Sequence, residues 1–97
     1  MLGFILLLAG AAQAPASAPP TSYGAGTANC ATAWARDNAP ISFVWTQGFW
    51  SALNASSGSG GSVADFSVII ERVRLDCTEN PSQTLAQSVA NTHRRMR

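Results

Sequence analysis

The sequence has no lysine, a single histidine and only two cysteines among its 97 residues. Six arginines face five acidic residues, and charged residues make up 11% of the chain. A near-balanced charge without lysine argues against a nucleic-acid partner, which demands a clustered basic surface. Arg94, Arg95 and Arg97 do cluster near the C-terminus. Three arginines at the end of a helix are accounted for by solvation and by the helix dipole. Also lacking is any stretch with convincing period-two alternation, so no strand is expected. "ISFVW" has strand composition but runs directly into helical spacing. There is no internal repeat, and the length allows one domain.

Scarcity of chemistry-bearing residues excludes most enzymes. His93 stands alone in a polar stretch, and a Cys–His nucleophile pair needs a free thiol beside it. A zinc site takes three or four ligands, and Cys30, Cys77 and His93 have no characteristic spacing. Asp76 and Glu79 fall at a helix end, where solvation explains them better than acid–base work. "GSGG" lacks the strand, lysine and hydroxyl residue of a phosphate loop. The chain is read as a non-enzyme with no cofactor and no metal.

What is present begins with "MLGFILLLAGAAQA", an apolar run too short to span a bilayer. Small residues follow it, as at a signal-peptide cleavage site. Gly10-Ala11-Ala12 and Ala14-Pro15-Ala16 both fit, so residues 1–16 read as a signal peptide cut after Ala12 or Ala16. No Lys or Arg precedes the run; either the start is truncated or the N-terminal amine supplies the charge. No cysteine follows it, so a lipid anchor is not expected. Export to the periplasm, with no stable membrane anchor, is the expectation. In an oxidising compartment two cysteines make one disulfide, and Cys30–Cys77 is the one pairing available. Closing so long a loop contributes roughly 4 kcal/mol on the chain-entropy account.

Residues 17–28, rich in Ala, Pro, Ser and Gly, read as a flexible lead. The remainder, 29–97, reads as a helical domain. Asn29 caps a short first helix that carries Cys30 and Trp34 on one face. Pro40 opens a second helix through "PISFVWTQGFWSALNA". Phe43, Phe49, Trp50 and Leu53 form its stripe, with Trp45 and Ile41 flanking. Gly48 in its middle costs about 1 kcal/mol against Ala, which a close helix–helix approach would justify. "NASSGSGGS" then reads as a loop. Asp65 is placed to cap a third helix whose Phe66, Ile69, Ile70, Val73 and Cys77 follow helical spacing. Asn80 and Pro81 signal the start of a fourth helix, expected to fray into "THRRMR". The fold class is therefore all-α: a small four-helix domain with one disulfide, preceded by a signal peptide.

The aromatic stripe of the second helix has two readings. It is a core, because a small domain needs large side chains to bury. Alternatively part of it is shared with a partner, since Trp is enriched in contact surfaces.

The pattern "CATAW … VWTQGFWSALN … DFSVIIERVRLDCTENPSQTLAQSV" resembles the HdeA/HdeB group of periplasmic acid-stress chaperones, from Asn29 to about Met96. The resemblance implies a disulfide-bonded helical protein, commonly dimeric and idle near neutral pH. In strong acid such proteins dissociate, partly unfold and hold unfolded clients without ATP. By position, Phe43, Trp45, Phe49, Trp50 and Leu53 of the second helix and Phe66, Ile69, Ile70 and Val73 of the third would form the client or dimer surface. The partners implied are unfolded clients, and a second copy in a homodimer. The other class is an exported module that binds one protein, such as an immunity protein neutralising a type VI secretion toxin.

Overall fold

A computed structural model describes residues 22–57 and 64–96. The signal-peptide reading of 1–16 and the first part of the lead lie outside the described residues. So does most of the glycine-rich loop. A 3-10 helix, Gly24–Thr27, precedes four α-helices: α1 Cys30–Ala33, α2 Ala39–Ser56, α3 Phe66–Glu79 and α4 Leu85–Met96. Among the described residues there is no strand, only an isolated antiparallel bridge between Asn29 and Thr84.

Local chemistry sets most boundaries. The Asn29 side chain accepts from the Thr32 N–H at 2.9 Å and caps α1. Pro40 sits in the first turn of α2, where its missing N–H costs nothing. Asp65 occupies the N-cap of α3 without a side-chain capping bond; its carboxylate accepts from the Ser67 hydroxyl at 3.2 Å instead.

Helix α4 departs from the sequence reading. Asn80 ends α3, donating its N–H to the Asp76 carbonyl, and α4 begins at Leu85. Its start is a reciprocal capping box: Gln87 N–H donates to Thr84 Oγ1 at 3.1 Å, and Thr84 N–H to Gln87 Oε1 at 2.9 Å. Nor does its end fray: Thr92 and His93 are buried and the helix runs to Met96.

The disulfide joins Cys30, at the start of α1, to Cys77, near the end of α3. Two backbone bonds tie the same corner to α4 and the loop before it: Cys30 N–H to the Gln83 carbonyl at 2.8 Å and Leu85 N–H to the Ala28 carbonyl at 2.9 Å. The core gathers Cys30, Ala33, Trp50, Ile69, Val73, Cys77, Leu85 and Val89. Residues 24–27, assigned to the lead by composition, pack against α2 and α4. Gly24 enters this turn at φ +71°, a left-handed conformation that glycine adopts freely. At Gly26 the backbone lies so close to Trp45 that a Cβ would overlap the indole ring. Gly48, by contrast, meets no neighbour within 4 Å, so the close approach expected there belongs to Gly26.

Candidate binding surface

Of the expected stripe Phe43, Phe49, Trp50 and Leu53 only Trp50 is fully buried; helix α2 turns inward with Ser42, Thr46 and Trp50. These three share a face at four-residue spacing. Ser42 Oγ donates to the Ala33 carbonyl at 2.6 Å, which ties α2 to α1. Trp50 is 3% exposed and meets His93 of α4 edge-on, ring centroids 4.8 Å apart. Beside them His93 Nε2 lies 2.8 Å from Asn54 Oδ1. The seam is polar for its depth. Thr46 Oγ1, Trp50 Nε1 and Thr92 Oγ1 are buried without a hydrogen-bond partner. Unsatisfied groups of this kind cost about 1–3 kcal/mol each.

One outcome follows at once. Thr46→Val removes a buried hydroxyl that bonds to nothing while keeping the side chain's shape. It is expected to be neutral or to raise stability by up to about 1 kcal/mol, read from a urea titration. A clear loss of stability would mean that the hydroxyl has a partner.

The nine residues singled out in the sequence divide by depth. Trp50, Ile69 and Val73 lie in the core and can reach a partner only if the helices separate. Phe43, Trp45, Phe49, Leu53, Phe66 and Ile70 lie above them, half-buried or more exposed. Phe43 and Phe66 meet edge to face at 5.2 Å across α2 and α3. Trp45 tilts over Phe49 at 4.7 Å, and its indole N–H donates to the Tyr23 carbonyl at 2.8 Å. Trp45, Phe49, Leu53 and Phe66 pack against the cluster that holds Trp50, Ile69 and Val73, and Phe43 adjoins it through Phe66.

Sequence reasoning missed two features. The first is the outward face of α2, where Ile41 and Val44 are 63% and 65% exposed. The signal was present: α2 has no charged residue in 18 positions, so neither face is marked as solvated. The second is Asp76, which is buried rather than solvating a helix end. It accepts from Gln83 Nε2 at 2.5 Å, Ser88 Oγ at 2.8 Å and Arg95 Nη1 at 3.2 Å. Asp76 falls three residues after Val73 and seven after Ile69, on the buried face, and that spacing was legible.

Near the disulfide, a hollow of about 200 Å³ is lined by Cys30, Trp34, Arg74, Cys77 and Pro81 among others. The Arg74 guanidinium lies 4.7 Å over the Trp34 ring, a cation–π contact that closes one wall. Among the described residues no three His, Cys, Asp or Glu side chains converge as metal ligands. No described helix is long and apolar enough to cross a membrane. Comparison with protein-family models, curated proteins and solved structures finds no match to this chain.

Proposed function

We propose that the chain is a periplasmic, ATP-independent holdase of the HdeA/HdeB kind, which binds unfolded clients under acid stress. The observation that carries this reading is the attachment of α2. Buried links join the other helices: the disulfide holds α1 to α3, and the Asp76 carboxylate of α3 accepts from the Ser88 hydroxyl of α4. Helix α2 has no cysteine and no charged residue to make such a link, and Thr46 Oγ1 and Trp50 Nε1 on its inward face are buried without a hydrogen-bond partner. Releasing α2 would bare Trp45, Phe49, Trp50 and Leu53 together with Ile69 and Val73. That is the apolar surface a holdase needs, kept covered until called upon.

Acid supplies a driving force. With all five carboxylates and His93 protonated, six arginines and one imidazolium leave about +7 on a chain that carries +1 near neutrality. The disulfide would keep the opened chain compact and able to refold.

The alternative class, an exported module that binds one protein in its folded state, is favoured by one observation. Ile41, Phe43 and Val44 are already exposed in the closed fold. Light scattering of an acid-labile client separates the two. The client is taken to strongly acidic pH and neutralised, with and without the oxidised protein. The holdase suppresses aggregation on the acid route only, and polar substitution at Trp45, Phe49 and Ile70 abolishes the effect. No suppression, with the domain still folded in acid, refutes the holdase and leaves the binding module.

A further inference from the structure

The holdase reading makes no use of the hollow beside the disulfide. Its frame is fixed: the bridge forms part of the lining, and two other lining residues are tied together, the Ala31 N–H donating to the Pro81 carbonyl at 3.2 Å. Among the described residues that line it, Arg74 carries the only charge. Glu71 stands three residues earlier on the same helix, at a spacing that suits an ion pair, yet the guanidinium turns to the Trp34 ring instead. Among the described residues Arg74 has no ion pair, and no acceptor takes a hydrogen bond from its side-chain N–H groups. Thr78, also in the lining, spends its hydroxyl hydrogen on the Arg74 carbonyl at 2.9 Å. The Trp34 indole N–H is buried and lacks a partner as well. The hollow thus pairs an unspent cation with a wall of disulfide, methyl group and proline ring.

We propose that this hollow binds a small carboxylate with an apolar body, the carboxylate on Arg74 and the body against the disulfide, Ala31 and Pro81. A guanidinium can rest on an aromatic face and still present a planar fork of N–H donors, which a carboxylate meets with two parallel bonds. Among the described lining residues nothing competes for that fork, and no acidic side chain repels the ligand. The volume of about 200 Å³ is below the roughly 300–1,000 Å³ of sites for drug-sized ligands, so the ligand is a molecule of about ten heavy atoms. With one charged anchor and so small a body, a Kd of roughly 1 mM is expected. The same chemistry has two sources: a free organic acid, or the C-terminal carboxylate of a peptide whose last side chain is apolar. The site belongs to the closed fold and does not depend on the holdase reading.

The test is titration of the oxidised chain with phenylacetate at neutral pH, followed in proton–nitrogen correlation spectra through the indole N–H of Trp34. That peak is identified by its absence from Trp34→Phe. It is expected to move saturably, together with the backbone amides of Ala31 and Thr78. Phenylacetamide keeps the shape and loses the charge, so it is expected to bind at least about tenfold more weakly. Arg74→Gln, at an exposed position, should lose roughly tenfold or more of the affinity for the acid and none of that for the amide. Arg74→Lys should recover part of the loss, since the charge returns without the fork. Equal binding of acid and amide, an affinity for phenylacetate unchanged in Arg74→Gln, or no saturable shift overturns the proposal. The contrast between acid and amide is read on the native chain, so it decides the matter even if Arg74→Gln disturbs the fold. An acetylated tripeptide ending in phenylalanine separates the two sources. Binding tighter than that of phenylacetate, and lost in the C-terminal amide, assigns the site to a peptide terminus; weaker binding assigns it to a free acid.

Discussion

Replacing both cysteines with alanine is expected to lower stability by about 4 kcal/mol, the largest loss available to a single covalent change in this chain. The bridge spans a sequence separation of 47, and confining that loop in the unfolded chain is the main source of the effect on the entropic account. A domain of this size has about 5–10 kcal/mol in all, so the loss removes a large part of the margin. Alanine is preferred to serine, because Cys30 and Cys77 are both buried and a new hydroxyl would confuse the result. Urea titrations followed by circular dichroism should show the midpoint falling by roughly 3–4 M for a chain of this length. A shift well below 1 M would mean that the backbone bonds from Cys30 to Gln83 and from Leu85 to Ala28 hold the corner without the bridge.

The second large effect is expected at Asp76. Asp76→Ala should cost about 3 kcal/mol, because the carboxylate is the shared acceptor for donors from α4 and the loop before it. Ser88 keeps a fallback, since its hydroxyl also lies 3.2 Å from the Val73 carbonyl. Gln83 has no second acceptor of that kind among its described bonds, and an apolar space opens between α3 and α4. Arg95 contributes much less: it is 63% exposed on its side chain, and water replaces the carboxylate readily. Arg95→Ala should therefore cost under about 1 kcal/mol. The contrast is the test. Equal losses from both variants, measured by the same denaturant titration, would place the stabilisation in the ion pair and refute the hydrogen-bonded account.

Legibility in the sequence followed the contrast between faces. Helix α3 was readable because Phe66, Ile69, Ile70, Val73 and Cys77 alternate with Glu71, Arg72 and Arg74, so inside and outside differ in chemistry. The disulfide followed from cysteine count and expected compartment. Helix α2 offered no such contrast. Its aromatic residues point to Phe43 and Phe49 as well as to the buried Trp50, while Ser42 and Thr46 turn inward beside Trp50. A polar residue can take the inner position when a backbone carbonyl waits there, as Ala33 does for Ser42. The start of α4 was misplaced because Asn80-Pro81 is a strong start signal. The Thr84–Gln87 box three residues further on is the one that has the geometry. His93 was read as a polar end residue, yet it falls four after Val89 and seven after Ala86, on the buried stripe.

The central claim is that α2 leaves first while the disulfide-linked remainder stays together. Hydrogen exchange resolved by helix, on the oxidised chain at stepwise lower pH and corrected for the intrinsic rate at each pH, tests it most directly. The account predicts that amides of α2 lose protection before those of α3 and α4, and that client binding appears at the same pH. Simultaneous loss across all helices, or α4 opening ahead of α2, would contradict it.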